Sequence, residues 1–254
     1  MPSPTVIVHR SPEELASAVC ARLITTLVDV QSAGRIAHWV LTGGTIADKI
    51  HAAVATTTAR DAVDWSRVEF WWGDERFVDA DDDDRNERQA RQALLDQLRV
   101  DQDRVHPMPS ADTGLDADAA AAAYAETLRA ATRPEDHGVV PTFDVVMLGV
   151  GPDGHVASLF PERPALYDER AVTAVRGSPK PPPTRVTMTM PTLQHGREVW
   201  FVASGEEKAK AVHLALSGAG VVQIPAAGPR GRERTLWLLD QAAASELPSG
   251  LARL

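Results

Sequence analysis

Apolar and polar residues follow two rhythms along this chain. Short runs rich in β-branched and aromatic residues recur at 5–8, 36–41, 68–72, 143–148, 186–190, 199–203 and 235–239. Runs of that length, punctuated by Gly, Pro and Asp, predict strands. Between them the spacing turns helical. Leu15, Ala18, Val19, Leu23 and Leu27 share one face at the 3.6-residue period. The preceding Ser11-Pro12-Glu13-Glu14 offers an N-cap, a proline at the first helical position and a capping-box glutamate. Further helices are predicted from Thr45 to about Val54, from about Arg85 to Leu98, over 117–131 and from about Glu206 to Leu216, the last stopped by Gly218. Strand and helix alternate throughout. That pattern predicts an α/β fold, a Rossmann-like doubly wound and mostly parallel sheet with helices on both faces. The acidic run 79–84 and the proline-rich run 178–183 read as loops. Neither divides the chain, so residues 1–254 are expected to form one domain.

Open α/β sheets bind ligands just beyond the carboxyl ends of their strands. Four strand-end segments therefore hold the candidate chemistry. Thr42-Gly43-Gly44-Thr45 offers flexible backbone and hydroxyls at a helix N-terminus, which suits a phosphate or merely a tight turn. Gly73-Asp74-Glu75-Arg76 places charge directly after an apolar strand, and Arg76 offers a fixed cationic fork to a phosphate or an oxyanion, or pairs with its neighbours. Trp71 and Trp72 before it are expected in the core, on opposite faces. The run Gly149-Val-Gly-Pro-Asp-Gly-His155 matches G-x-G-x-x-G, yet Pro161 and Pro164 cut short the helix a dinucleotide site requires. What remains there is a carboxylate, Asp153, two residues from an imidazole, His155, which can take and return a proton near neutrality. In the fourth segment Ser204 and Glu207 fit a capping box. Lys208 then falls in a first helical turn, where a cation is disfavoured unless an anion or carboxylate joins it. Arg185 is a second isolated cation for such an anion.

Composition narrows the classes. The chain has 26 basic and 35 acidic residues, a formal charge of −9, which speaks against nucleic acid or an anionic membrane as partner. A single cysteine, Cys20, allows no internal disulfide. Neither a signal-peptide pattern nor an apolar run of about 18 residues is visible, so a soluble cytoplasmic protein is expected. The eight histidines lack H-E-x-x-H spacing, and run 79–84 lacks the alternation of a calcium loop. There is no G-x-S-x-G elbow and no Walker loop.

Taken in order, these segments resemble the 6-phosphogluconolactonase family, of the α/β type related to glucosamine-6-phosphate deaminases. The resemblance rests on Leu41-Thr-Gly-Gly-Thr45, Phe70-Trp-Trp-Gly-Asp-Glu-Arg76 with Asn86, the stretch from Phe143 to His155 with Ser158-Leu-Phe-Pro161, Pro181-Pro-Pro-Thr-Arg-Val-Thr187 and Gly205-Glu-Glu-Lys208. It implies hydrolysis of 6-phospho-D-glucono-1,5-lactone in the oxidative pentose phosphate pathway, with no metal or redox cofactor. It implies His155 as general base, Arg76 for the oxyanion or the phosphate, and Asp153 in support. Gly43, Gly44, Thr45, Arg185 and Lys208 would hold the phosphate, with Asp74, Asn86 and Gly154 completing the substrate site. The related deaminases usually carry Glu five residues after the histidine and Tyr in place of Arg76. Here Phe160 and Arg76 stand instead, which favours the lactonase. A non-catalytic sugar-phosphate sensor is the other class considered. Its relatives append a helix-turn-helix, for which a first strand at Thr5 leaves no segment. The expected partner is the small-molecule lactone, and the expected assembly a monomer or small homo-oligomer.

Overall fold

The computed structural model describes residues 3–248. Its strands are β1 (Thr5–His9), β2 (Ala37–Leu41), β3 (Val68–Trp72), β4 (Asp74–Arg76), β5 (Phe143–Gly149), β6 (Val172–Val175), β7 (Arg185–Met188), β8 (Gly196–Ala203) and β9 (Arg234–Asp240). Its helices are α1 (Pro12–Ser32), α2 (Thr45–Thr56), α3 (Asn86–Ala93), α4 (Ala117–Ala130), α5 (Met190–Leu193) and α6 (Ala209–Leu216). Six strands form a wholly parallel sheet in the order β1-β9-β8-β5-β2-β3. A parallel sheet needs cover on both faces, so its strands read as near-continuous apolar runs. In β3, Phe70 and Trp72 enter one core and Trp71 the other, and in β5 Val145 and Met147 oppose Val146 and Leu148. The two tryptophans thus lie on opposite faces, as expected. Helices α1, α2 and α3 cover one face; α4, α6 and a second sheet cover the other.

Helix α1 starts where its sequence says. The Ser11 hydroxyl accepts the Glu14 N–H at 3.2 Å, while the Glu14 carboxylate turns away to Arg10 instead of closing a capping box. It is the one described helix long and apolar enough to cross a bilayer. Here Leu15, Val19, Leu23 and Leu27 are fully buried against the sheet, each contributing roughly 1.5–3 kcal/mol.

Three expectations change. The strand read at 186–190 is β7, and it belongs to a separate antiparallel sheet, β4-β7-β6, rather than to the main one. The helix read to Leu98 ends at Ala93. Leu94 leaves helical geometry (φ −142°), and a 3₁₀ turn follows, so that Leu94 and Leu95 both enter the core, which one helical face does not allow. The helix expected from Glu206 begins as a 3₁₀ turn, and α6 proper starts at Ala209.

Candidate active site

The chain runs outward from β2 to β3, then crosses back to β5, β8 and β9 on the other side of β2. The loops after β2 and β5 therefore diverge and open a crevice at this switch point. The two loops are tied together where the Gly149 N–H donates to the Thr42 hydroxyl at 3.2 Å. A cleft of about 510 Å³ lies here. Helix α2 enters it with Gly44 (φ +102°) as N-cap and no side chain capping the helix. Its first N–H groups are left for an anion.

The loop after β5 carries the Asp–His pair. His155 Nδ1 bonds to Asp153 Oδ1. Burial opposes ionisation of Asp153, but the imidazole beside it outweighs burial and holds the carboxyl down at about 2. That bond fixes the ring and leaves Nε2 without a partner among the described residues, and the residue lines the cleft. The ring packs on Phe160 at a centroid distance of 4.6 Å. The glycines explain themselves locally. A Cβ on Gly151 would overlap the His155 ring and the Asp153 carboxylate. Gly154 has φ +83° and abuts Ile224. The turn passes on to Pro164 without a helix, so the glycine pattern serves an imidazole and not a pyrophosphate.

The small sheet brings the cations. In β4 and β7, Arg76 lies directly opposite Arg185. Like charges at that register repel. Arg76 Nη1 donates to the Asp84 carbonyl at 2.8 Å and to Asn86 Oδ1 at 2.5 Å, leaving Nε and Nη2 without partners among the described residues. Asn86 is anchored in turn, its side chain donating to the Asp74 carbonyl at 2.9 Å. A Cβ on Gly43 would strike that side chain. Beneath them Glu75, 1% exposed, accepts the N–H groups of Arg76, Asn86 and Glu87 at 2.7–2.8 Å and faces Arg85. Burial pushes its carboxyl up to about 7 against the pull of Arg85 and those N–H groups. Asp74 is held by the Ser158 hydroxyl at 2.6 Å.

Lys208 sits just before α6, not in its first turn. The Ser204–Glu207 capping box does not form, because the Ser204 hydroxyl donates to Asp240 at 2.6 Å and Gly205 N–H is drawn to the same carboxylate. Burial lowers the Lys208 ammonium, as does Lys180 nearby; Glu207, 3.9 Å away, and Asp153 work the other way.

Nine of the eleven residues singled out in the sequence line this cleft: Gly43, Gly44, Thr45, Asp74, Arg76, Asn86, His155, Arg185 and Lys208. Asp153 stands behind His155, and Gly154 shapes the turn. Sequence reasoning missed Lys49, which lies one helical turn after Thr45, and Lys180, on the proline-rich run. It also missed Glu75 as the buried anchor and Phe160 as the support of the ring.

Groups suited to an anion meet a proton-transfer pair across one crevice, and this defines an α/β enzyme of the phosphosugar isomerase-like fold. Comparison with known proteins makes the assignment narrower. A family model described as glucosamine-6-phosphate isomerases/6-phosphogluconolactonase matches residues 10–237. The 6-phosphogluconolactonase of Streptomyces coelicolor is 56% identical over 252 residues, 98% of this chain and 97% of that protein. The human 6-phosphogluconolactonase is 36% identical over 96% of this chain and 94% of its own length. The Trypanosoma brucei 6-phosphogluconolactonase structure superposes with a TM-score of 0.83 at 29% identity, covering 97% and 99% of the two chains. A monomeric glucosamine-6-phosphate deaminase shares the fold, with a TM-score of 0.78 at 17% identity over 95% and 99%. The chain belongs to the glucosamine-6-phosphate isomerase/6-phosphogluconolactonase family.

Proposed function

We propose that His155 drives the reaction of this chain, hydrolysis of 6-phospho-D-glucono-1,5-lactone to 6-phospho-D-gluconate in the pentose phosphate pathway. The whole-length identity to curated 6-phosphogluconolactonases supports the activity. The observation that carries the mechanism is the Asp153–His155 pair, with Nδ1 engaged, Nε2 without a partner among the described residues, and His155 lining the cleft. Nε2 takes a proton from a water as its oxygen bonds to the lactone carbonyl carbon. The carbonyl oxygen becomes an oxyanion, and the partner-free donors of Arg76 stabilise it. The intermediate collapses, the bond from that carbon to the ring oxygen breaks, and the imidazolium returns its proton to the departing oxygen. The new carboxylic acid then ionises to solvent. The N-terminus of α2 with Gly43, Gly44 and Thr45, together with Lys208, supports the phosphate, and Arg185, whose Nε and Nη2 are held by backbone carbonyls, adds its charge at that end. Asp74 and Asn86 face the sugar hydroxyls. Holding the phosphate orients the carbonyl against the water.

Phe160 supports this reading over amino-sugar deamination. It puts a buried aromatic ring against His155 where the deaminases usually offer a carboxylate. The substrate is a small phosphorylated lactone, and the cytoplasm is the compartment proposed for the reaction. The test follows lactone made by glucose-6-phosphate dehydrogenase and reads the product through 6-phosphogluconate dehydrogenase, with spontaneous opening subtracted. Wild type accelerates hydrolysis; His155→Ala loses about 10²–10⁴-fold in kcat and still binds 6-phosphogluconate. A variant with near-wild-type turnover overturns the general-base role. Ammonia released from glucosamine-6-phosphate, without lactone turnover, overturns the activity.

A further inference from the structure

The proline-rich run 178–183 forms a strap along the cleft, and its backbone is fixed from within. The Ser178 N–H donates to the Pro183 carbonyl at 3.0 Å, and the Ser178 hydroxyl to the Lys180 carbonyl at 2.8 Å. The Lys180 N–H returns a bond to that hydroxyl at 3.3 Å. Arg185 then grips the strap from beneath. Its Nε donates to the Pro182 carbonyl at 3.0 Å, and its Nη2 to the Pro181 and Lys180 carbonyls at 2.9 and 3.2 Å. Three consecutive carbonyls thus converge on one buried guanidinium, a fork that only arginine supplies. Four prolines further limit the freedom of the run.

The grip holds Lys180 in the wall of the cleft, near enough to Lys208 for the two charges to repel. Lys180 has no carboxylate within ion-pair distance among the described residues. The nearby Arg76–Arg185 pair adds to the positive field. Among the described residues only Glu207, 3.9 Å from Lys208, brings a carboxylate within ion-pair distance of either lysine, so a dianion entering between the two gains from both.

Resting on the reading of this cleft as a phosphate site, we propose that Lys180 is a further substrate-binding residue that closes on the phosphate from the strap, and that Arg185 is a positioning residue acting through Lys180. The strap then sets the preference for phosphorylated over unphosphorylated lactones.

Five variants test this: Lys180→Ala, Lys180→Arg, Arg185→Lys, Lys180→Ala combined with Arg185→Lys, and Lys208→Ala. For each, kcat and KM are measured with 6-phosphoglucono-1,5-lactone and with glucono-1,5-lactone, alongside competitive inhibition by inorganic phosphate. Lys180→Ala lowers kcat/KM for the phosphorylated lactone about 10–100-fold, the range of one hydrogen bond to a charged group. The loss falls on KM, the unphosphorylated lactone is unaffected, and phosphate inhibition weakens in step. Arg185→Lys keeps the charge but not the fork. It shows a similar loss, and adds nothing in the Lys180→Ala background. Lys180→Arg rescues. Unchanged preference in Lys180→Ala, with preference lost in Lys208→Ala, overturns the strap proposal alone. Unchanged preference in both overturns the phosphate reading itself. Multiplying losses in the double variant overturn the positioning role of Arg185 and make it a direct ligand.

Discussion

The tightest constraint on the reaction comes from a hydrogen atom, the side chain of Gly151. Its φ lies outside the left-handed region, so alanine fits the backbone. The turn around it is closed by main-chain bonds, Gly151 N–H to the His155 carbonyl and Gly154 N–H to the Gly151 carbonyl, both 2.9 Å. Alanine keeps both bonds. Only the added methyl conflicts, and it conflicts with the His155 ring and the Asp153 carboxylate together. The ring cannot retreat freely, because Phe160 packs against it and is itself buried. The imidazole must therefore swing on the order of 1 Å or more, a misplacement that costs about 10²-fold in rate. Gly151→Ala is expected to lose about 10²-fold in kcat, up to the loss of His155→Ala, while thermal stability shifts little. Binding of 6-phosphogluconate, followed by calorimetry, stays within about threefold, since the residues proposed to hold the phosphate line other parts of the cleft. Gly44→Ala is the paired control. Gly44 has open space around it but φ +102°, so its cost is backbone strain at the N-cap of α2. That change should appear in KM rather than kcat. A Gly151→Ala enzyme with wild-type kcat refutes the argument that ring placement limits the reaction.

Two predictions concern stability. His51 on α2 is buried beside Trp39 with neither ring nitrogen hydrogen-bonded, and burial lowers its pKa from 6.5 to about 4. A depressed histidine gives stability that is full above pH 6.5 and is lost as pH falls toward 4, about 3 kcal/mol over the window; His51→Leu should flatten urea-unfolding free energy between pH 7 and pH 5, and an unchanged slope would show another group responsible. Glu75→Ala strips three N–H groups of their acceptor and takes from Arg85, 2% exposed, the more buried of its two carboxylate partners, leaving Glu87 at 3.7 Å. It should cost about 3–5 kcal/mol and lower Tm by roughly 10 °C, whereas a fall under about 3 °C would mean that the buried pair contributes little.

Much of the site was legible because its motifs are local. The glycine loop after β2 and the Asp–Gly–His turn after β5 each keep their chemistry within seven residues of a strong apolar strand. Strand ends in a parallel sheet share one edge, so finding the strands nearly found the site. Other features depend on distant partners and left no local trace. Strand β4 has three residues, too few for a period, and exists because β7 pairs with it. Ser204 and Glu207 had the spacing of a capping box, yet Asp240 from β9, 36 residues away, took the hydroxyl. The signal for Lys180 was present in a proline-rich run beginning beside a basic residue, but the direction of its side chain depends on Arg185 beneath it.

The two sheets divide the work. The parallel sheet supplies rigid loops, and rigidity suits groups that must meet a reacting carbon within a fraction of an ångström. The small antiparallel sheet hangs over the same edge, tied on where the Met188 N–H meets the Gly73 carbonyl at 2.8 Å. It sets Arg76 against Arg185, a pairing that destabilises an empty sheet. Buried Glu75 and Asp74 hold this sheet together from below, so the repulsion stays directed at the cleft. A dianion seated near Lys208 and Lys180 screens the charge of Arg185 and so relieves it, leaving the partner-free donors of Arg76 to the oxyanion, and binding energy gained at the phosphate end can then be spent orienting the lactone at the other. On this account the enzyme should be more heat-stable with 6-phosphogluconate bound than mass action on a neutral analogue predicts. The excess should shrink in Arg76→Ala, where the repulsion is already gone; an excess of the same size in that variant would show that the opposed arginines do not couple binding to stability.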